Sequence, residues 1–402
     1  MLSKNQVKFK ETEIGMIPYD WDIKSLRDIS TIIMGQSPPS STYNTQNRGL
    51  PFFQGRRDFG RKYPSVMVWC SEPKRVAKQG DVLLSVRAPI GDVNIANEDS
   101  CIGRGLASLS INYKDNEFLY YLLVFNKEKI RAVFEGEGTV FGCVTKQGLN
   151  NFKVSIPSNS LERESIGNIL SSLDEKIELN CQMDKTLEKI GQALFKRWFI
   201  DFEFPNEKGK PYKSSGGDMV DSDLGEIPKG WSIGNFEEII EITSGKRPND
   251  KSDIKTSEFN TPLIGASSVM GFVKEKLYDE PIIIIGRVGT HGIVQRIFYP
   301  SFPSDNTLVI KSKYYGYAYH ILVTINYESL NVGTTQPLIT QSSVRNLRIV
   351  IPDGKILDQY ENLISNNFIK IYHNNAEIET LSSIRDSLLP KVMSGQIRVP
   401  AG

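Results

Sequence analysis

Cysteine and histidine are scarce in this sequence, and their scarcity excludes several kinds of site. The 402 residues include 4 cysteines and 3 histidines, scattered along the chain without a C-x-x-C pair. A disulfide framework or a structural zinc site needs more of these residues at closer spacing. The polar N-terminal stretch also lacks the apolar core of a signal peptide. We therefore predict a reduced, cytoplasmic protein whose chain binds no metal.

Long apolar runs and an excess of one charge are missing as well. The longest apolar and aromatic run, residues 118–125, is far too short to cross a bilayer, so we predict no membrane contact. Lys and Arg number 48 against 47 Asp and Glu, a formal net charge of +1. A protein held to nucleic acid by bulk charge alone would be more basic, so only local basic patches could serve that purpose.

Catalytic signatures are also lacking. The sequence has no G-x-x-x-x-G-K-[ST] phosphate loop, no H-E-x-x-H and no G-x-S-x-G. Residues 134–138 read F-x-G-x-G, similar to the cofactor loop of S-adenosylmethionine-dependent methyltransferases, but the [ND]-P-P-[YF] site of adenine methyltransferases is missing. We interpret the stretch as a turn and predict no catalytic or cofactor-binding residue. A self-sufficient DNA methyltransferase or nuclease, and a coiled-coil scaffold without DNA, stay open as alternatives.

An internal repeat organises the chain. The pattern G-x-I-P-x-x-W occurs at residues 15–21 and again at 225–231, and Gly35-Gln-Ser-Pro38 corresponds to Gly245-Lys-Arg-Pro248. The two copies also end alike, at 151–157 and 346–352. The matching motifs keep their order and recur about 200 residues apart, whereas the repeats of a solenoid are about 20–50 residues long. The sequence therefore predicts a duplicated domain.

Each copy has a strand-rich part followed by a helical part. Glycine, proline and short β-branched runs before residues 157 and 352 predict short strands. Residues 160–200 and 355–389 carry apolar residues at spacings of three and four, which predicts two long helices. Asn180, with Asp184, interrupts one apolar seam and Asn374, with Asn375, the other, as in coiled coils whose register is fixed by a buried amide. Two separate surface helices are the alternative.

Basic and amide side chains recur in the loops of both copies. Arginine, lysine, glutamine and threonine read base edges and hold phosphates in DNA complexes. The candidates for DNA contact are Arg56, Arg57, Arg61, Arg87 and Arg104 in the first copy, and Lys246, Arg247, Arg287, His291, Thr334 and Gln336 in the second. Arg287 is predicted to occupy the place of Arg87, because both follow a β-branched run and precede a glycine turn. A solvated surface charge is the alternative for each, and Arg87 could instead pair with Asp92.

With these motifs the sequence resembles the specificity (S) subunit of type I restriction-modification systems. The resemblance rests on both G-x-I-P-x-x-W patterns, on residues 194–205 (LFKRWFIDFEFP) and on residues 388–398 (LLPKVMSGQIR). It implies a non-catalytic, DNA-binding chain with two target recognition domains, each reading half of a split site. It also implies assembly with two modification (M) subunits, which hold S-adenosylmethionine, and with restriction (R) subunits. ATP and Mg are likewise expected on the partner subunits.

The predicted fold is α+β, with two pseudo-two-fold-related globular α/β recognition domains separated by two long helices in an antiparallel coiled coil. The predicted segments are 1–157 (first recognition domain), 158–204 (central helix), 205–224 (linker), 225–352 (second recognition domain) and 353–402 (C-terminal helix and tail).

An aromatic cluster after the central helix predicts a partner surface. We expect the M subunits to dock largely on the two long helices and on residues 195–204 and 388–397, because more aromatics occur after the central helix than one helical seam can bury. The side chains expected to contribute are Phe195, Trp198, Phe199, Phe202 and Leu388. A small local core under the linker is the alternative.

Overall fold

A computed structural model describes residues 7–111, 115–135, 143–287, 292–330 and 338–400. The chain forms two compact units. Unit 1 consists of Met1–Asn180 and Glu377–Gly402, and unit 2 of Cys181–Ala376. The predicted segments ended at the ends of the long helices, whereas the division into compact units falls inside both helices.

Unit 1 has two larger sheets, ordered β10-β9-β12-β4 and β5-β7-β6-β11-β8, and two strand pairs, β1-β2 and β13-β3. All four residues of β9 are buried, so its apolar run lacks the alternation of a half-exposed strand. The strands are β1 (Phe9–Thr12), β2 (Gly15–Pro18), β3 (Trp21–Ser25), β4 (Thr31–Met34), β5 (Tyr43–Asn44), β6 (Leu50–Phe53), β7 (Trp69–Cys70), β8 (Val76–Ala77), β9 (Val82–Ser85), β10 (Val93–Ile95), β11 (Ser100–Ile102), β12 (Leu106–Ser110) and β13 (Lys153–Pro157).

Four helices pack within or beside these sheets before the first long helix begins. They are α1 (Leu26–Ile29), α2 (Asn116–Phe125), α3 (Lys127–Glu135) and α4 (Lys146–Asn151), and the long helix is α5 (Ser160–Phe195). A π-helical turn, Lys196–Ile200, continues α5. The apolar run 118–125 thus lies in α2, which is largely buried in the core of unit 1.

Unit 2 repeats this plan with sheets ordered β17-β23-β20-β21 and β19-β18-β22. Its elements are β14 (Met219–Val220), β15 (Ile227–Pro228), β16 (Ser232–Asn235), β17 (Glu241–Ser244), β18 (Thr261–Ile264), β19 (Val269–Val273), β20 (Ile282–Gly286), β21 (Val294–Ile297), β22 (Phe302–Pro303), β23 (Thr307–Lys311), α6 (Tyr315–Thr324), α7 (Gln341–Arg345), β24 (Arg348–Ile351) and α8 (Gly354–Met393). No helix among the described residues is both long and apolar enough to span a membrane.

The repeated G-x-I-P-x-x-W motif has the same structural role in each unit. Gly15 and Gly225 adopt positive φ, a conformation that glycine tolerates best, and so turn the chain into the following strand. The tryptophan six residues later is buried in its unit, Trp21 at 1% exposure and Trp231 at 8%. The motif therefore directs the chain into each domain and anchors it there. It does not form a functional site.

The two long helices pair antiparallel in both units. In unit 1, Lys176 of α5 pairs with Glu377, and Asp174, earlier on α5, pairs with Arg385, later on α8. In unit 2, Asp184 accepts a hydrogen bond from Asn374 at 2.6 Å, and Gly191 lies against Ile364. Residues later on α5 contact residues earlier on α8, so the two helices run antiparallel. The predicted antiparallel pairing is confirmed within each unit. The predicted α+β class is also confirmed. The alternative of two separate surface helices is wrong.

The aromatic residues after α5 lie in the core of unit 2. Phe195, Trp198, Phe199 and Phe202 are between 4% and 9% exposed. Phe199 contacts Trp231, Tyr317 and Tyr360, with ring centroids 4.6 to 6.0 Å apart. Leu388 is half-buried against the core of unit 1. Contrary to the expected exposed cluster, the four aromatic side chains therefore belong to a core, as in the alternative of a local core. Leu388 keeps a partly exposed surface.

Candidate nucleic-acid interface

An open cleft of about 1220 Å³ lies at one edge of unit 1. Loops that follow β4, β6, β9 and β11 line it, so strand ends from both sheets of unit 1 meet there. The cations that line the cleft are Arg56, Arg57, Lys74, Arg87 and Arg104. Among the described residues, every charged side chain in the lining is a cation. Four of these five residues, all but Lys74, are among the candidates for DNA contact named from the sequence.

A close backbone approach shapes the floor of the cleft. The amide of Gly35 donates to the carbonyl of Leu106 at 2.9 Å, and the next amide, of Gln36, donates to Ile102 at 3.0 Å. A Cβ on Gly35 would lie 2.1 Å from the carbonyl oxygen of Gly103, so only glycine fits this position. The loop after β4 is thereby held against the turn that carries Arg104.

Arg56 is fixed at the rim of the cleft by Asp92. Its Nε donates to Asp92 Oδ2 at 3.0 Å, and Lys127 pairs with the other carboxylate oxygen. Burial raises the pKa of Asp92, but the hydrogen bonds from Lys127 and Arg56 outweigh burial, and the net pKa is lowered. A charged Asp92 therefore orients Arg56 while leaving 54% of its side chain exposed.

Arg57 is held by the loop that bears it. Its Nη2 donates to Gln54 Oε1 at 3.0 Å, and its Nε lies 3.4 Å from Asp58 Oδ1. Asp58 is buried and accepts hydrogen bonds from the amides of Gln54 and Gly55. One buried carboxylate thus organises the whole loop after β6.

The other first-copy candidates are less constrained. Arg87, Arg104 and Lys74 are exposed in the cleft. Arg61 is exposed but does not line the cleft. The alternative in which Arg87 pairs with Asp92 is wrong, because that carboxylate pairs with Arg56 and Lys127 instead.

The corresponding edge of unit 2 has the same backbone framework. Gly245 donates to Thr307 at 3.0 Å and Lys246 to Pro303 at 2.9 Å, as Gly35 and Gln36 do in unit 1. Lys246 and Arg247 are exposed in the loop after β17. The predicted correspondence between Gly35-Gln-Ser-Pro38 and Gly245-Lys-Arg-Pro248 is confirmed by this hydrogen-bond pattern.

Arg287 does not occupy the place of Arg87. The amide of Arg287 donates to Asn306 and its carbonyl accepts from Ile339, whereas in unit 1 Val86 makes the equivalent bonds, to Gly105 and from Val144. Arg287 therefore corresponds to the buried Val86, and a shift of one residue turns a side chain to the opposite face of a strand. Its side chain is half-buried, and Nε is enclosed without a hydrogen-bond partner among the described residues.

Three candidates of the second copy, His291, Thr334 and Gln336, lie outside the described residues, as does the greater part of the F-x-G-x-G stretch. The sequence reasoning missed Lys74, Gln36, Ser37, Tyr43 and Gln54, which also line the cleft. Gln36 and Ser37 could have been found, because they match Lys246 and Arg247 in the repeat. Within the described part of the chain, no group of three or more His, Cys, Asp or Glu could hold a metal ion.

Comparison with known proteins identifies the family. Residues 18–189 and 228–380 match the model of the type I restriction modification DNA specificity domain. The chain belongs to this family. Each match contains one strand-rich domain and most of the long helix that follows it, so the specificity domain is present twice.

Specificity subunits of type I restriction enzymes match nearly all or part of the chain. The type I restriction enzyme MjaIX specificity subunit of Methanocaldococcus jannaschii is 29% identical, over 98% of this chain and 97% of that protein. The putative MjaX specificity subunit of the same organism is 43% identical, over 46% of this chain and 44% of its own length. The crystal structure of a type I S subunit from M. genitalium has the same fold, with a TM-score of 0.68 at 17% identity, covering 98% of this chain and 97% of that one.

Proposed function

We propose that this specificity subunit binds double-stranded DNA at a bipartite site and that each recognition domain reads one half of it in the major groove. The observation that carries the proposal is the cation-lined cleft of unit 1, formed at strand ends by five basic side chains. Guanidinium groups bind both guanine edges and phosphates, and the amides of Gln36 and Gln54 add base-reading groups.

Four of the five cations of the cleft divide into two kinds. Arg56 and Arg57 are held by acceptors, so their guanidinium groups are oriented before DNA arrives and suit bidentate reading of guanine. Arg87 and Lys74 have no hydrogen bond or ion pair to another described side chain and can follow the phosphate backbone. Net charge is near zero, so this local patch has to supply the electrostatic attraction.

The subunit is proposed to be non-catalytic and to act in the cytoplasm with two M subunits and, in the full complex, R subunits. S-adenosylmethionine, ATP and Mg would be held by those partners. Both helix pairs expose apolar side chains that suit protein contact: Leu179 and Ile384 in unit 1, Ile190 and Ile369 in unit 2, each 45% to 53% exposed. These replace the buried aromatics as the proposed docking residues.

Methylation mapping in cells with and without this chain tests DNA recognition. We expect one split adenine motif to disappear when the chain is removed. With the purified complex, DNA affinity should fall as salt rises, with a slope of about −0.9 per phosphate contacted. Arg56→Ala should weaken binding, whereas Arg27→Ala, a matched change at an exposed arginine outside the cleft, should not. An unchanged methylation map together with salt-independent binding would contradict the proposal.

Co-purification with the M subunit tests the docking surface. Ile190→Glu and Ile369→Glu should abolish capture, while Val220→Glu, an exposed apolar residue outside the helices, serves as the control. Incubating the chain alone with DNA and labelled S-adenosylmethionine should give no methyl transfer. Transfer by the isolated chain would support the self-sufficient methyltransferase instead.

A further inference from the structure

A tight turn at the edge of the cleft occurs in both units with the same internal hydrogen bond. In unit 1 the amide of Leu106 donates to the carbonyl of Gly103 at 3.1 Å. In unit 2 the amide of Thr307 donates to the carbonyl of Ser304 at 3.0 Å. Each turn leads from β11 or β22, in one sheet of its unit, into β12 or β23, an inner strand of the other sheet.

The anchoring of the turn to its surroundings is also the same. The amide of Gly103 donates to Phe53 at 2.8 Å, and the amide of Ser304 donates to Ile264 at 2.9 Å. On the other side, Leu106 accepts from Gly35 as Thr307 accepts from Gly245. The second residue of the turn is therefore equivalent in the two units, and it is Arg104 in one and Asp305 in the other.

The two side chains carry opposite charge in equivalent surroundings. Both are exposed, and Arg104 lines the cleft. Asp305 makes no side-chain hydrogen bond and no ion pair with any described residue, so no neighbour in this part of the chain explains its charge. A carboxylate on a DNA-facing edge repels phosphates, unless it accepts a hydrogen bond from a base.

We propose that Asp305 is a specificity-determining residue of the second recognition domain and that it accepts a hydrogen bond from the exocyclic amino group of cytosine. Arg104, at the same turn position of the first domain, donates to guanine. The pairing follows from chemistry, because carboxylates accept from cytosine N4 and guanidinium groups donate to guanine O6 and N7. This inference rests on the proposed function. It means that the same turn donates a hydrogen bond to a base in one half-site and accepts one from a base in the other.

The test compares Asp305→Ala and Asp305→Asn with Asp221→Asn, an exposed aspartate of unit 2 outside the turn. Each variant is assembled with the M subunit, and its methylation motif and its binding to matched and single-substituted DNA are measured. In the Asp305 variants, discrimination at one base pair of the second half-site should fall about 5- to 150-fold. Asn should also admit adenine there, because its amide pairs with adenine N6 and N7.

Affinity for non-specific DNA should stay the same or rise, since a negative charge is lost, and the first half-site should be unaffected. An unchanged motif in both Asp305 variants would overturn the inference, as would relaxation spread equally over both half-sites. If Asp221→Asn and Asp305→Asn had equal effects, Asp305 would act only through its contribution to the net charge. That result would also overturn the inference. If the unsubstituted complex neither binds nor methylates a split site, the proposed function itself fails. Thermal unfolding of each variant establishes folding, and the near-isosteric Asn variant carries the test if the Ala variant does not fold.

Discussion

Two arginines of the cleft, Arg56 and Arg57, are held by carboxylates that are themselves anchored. Asp92 accepts from Arg56, and its own backbone amide donates to the hydroxyl of Ser85 at 2.9 Å. Asp58 is fixed by the amides of Gln54 and Gly55. Orientation of this kind lowers the entropy lost when a side chain binds a base, so these acids favour recognition although they lie beside cations.

Arg87 and Arg287 should respond differently to truncation. Arg87→Ala should leave stability unchanged and flatten the salt dependence of DNA binding by about one unit, because an exposed cation of the cleft is lost. Arg287→Ala should instead lower the free energy of unfolding by about 1 kcal/mol, since the half-buried aliphatic stem is lost. Binding titrations at several salt concentrations and thermal unfolding measure both. If both variants flattened the salt dependence equally, Arg287 would not occupy the position of the buried Val86.

His320 is enclosed by aromatic rings in unit 2. Its Nδ1 lies 2.9 Å from the carbonyl oxygen of Gly316 and 3.0 Å from the hydroxyl of Tyr360, and its ring stacks on Phe195 and Phe368. Burial lowers the pKa of His320 to about 4. The neutral ring is therefore part of the folded core.

Stability should consequently decrease in mild acid. The unfolded histidine has a pKa near 6.5, so between about pH 6.5 and 4 the unfolded state binds more protons and acid favours unfolding. The contribution is fully present above pH 6.5 and falls by on the order of 3 kcal/mol at pH 4. Denaturant unfolding across this window should show a shallower pH dependence for His320→Gln than for the exposed control His373→Gln. Identical slopes would argue against a neutral buried ring.

At the scale of elements, each helix pair contains a buried asparagine that donates a hydrogen bond to an acidic side chain. Asn180 is fully buried in unit 1 and donates to Glu377 at 2.8 Å, and Asn374 is 1% exposed in unit 2 and donates to Asp184 at 2.6 Å. The Oδ1 atom of each asparagine has no hydrogen-bond partner among the described residues. Such amides reduce stability and favour one register over others.

Replacing Asn180 should separate stability from register. Asn180→Leu should raise the free energy of unfolding by about 1 kcal/mol, because a buried unpaired oxygen is replaced by apolar surface. Asn180→Ala should lower it by about 1–2 kcal/mol, because the side chain leaves a void. Chemical denaturation measures both changes, and size-exclusion chromatography detects alternative pairings in the Leu variant. Equal destabilisation by Leu and Ala would show that the amide is required for folding.

Element types were predictable because their signals are local. The spacing of apolar residues predicted helices at 160–200 and 355–389, and α5 with its π-helical turn and α8 agree closely. The repeat likewise identified equivalent strand ends at Gly35 and Gly245. Four of the five cations in the cleft could be named because they lie in the basic, glycine-containing loops of the first copy.

The incorrect predictions concern contacts between residues that are separated in the sequence. Arg287 was placed one residue out of register, because its position depends on hydrogen bonds to Asn306 and Ile339, which are distant in the sequence. The aromatics around Phe199 were expected to be exposed because their partners, Tyr317 and Tyr360, come more than a hundred residues later. Burial and register are tertiary properties, so residue spacing alone could not decide them.

At the scale of the whole molecule, one arginine joins both ends of unit 1. Arg398 pairs with Asp20 at 2.7 Å and, in a second contact, with Glu162 at 2.7 Å. Glu162 is buried, and both of its carboxylate oxygens accept hydrogen bonds from Arg398. The C-terminal segment is thereby fastened to the entry strand and to the start of α5.

Arg398→Ala should destabilise unit 1 by about 2 to 4 kcal/mol, between the values for exposed and buried ion pairs. Arg398→Lys should recover only part of the loss, because a lysine cannot make the two-pronged contacts of a guanidinium. Hydrogen exchange resolved along the chain measures the effect, with faster exchange expected in unit 1 and little change in unit 2. Uniform acceleration in both units would contradict this assignment.

The discontinuity of unit 1 has a consequence for biosynthesis. Unit 2 is a single continuous segment, Cys181–Ala376, whereas unit 1 needs Glu377–Gly402 to complete its helix pair. On the ribosome, the first 180 residues therefore wait for the remaining 200 or so to be translated, about 10 to 40 s at typical elongation rates. During that interval the apolar stripe at the start of α5 has no α8 to cover it. The nascent chain is thus most exposed to aggregation and chaperone binding in its N-terminal half, and synthesis of Glu377–Gly402, rather than emergence of the first domain, completes unit 1.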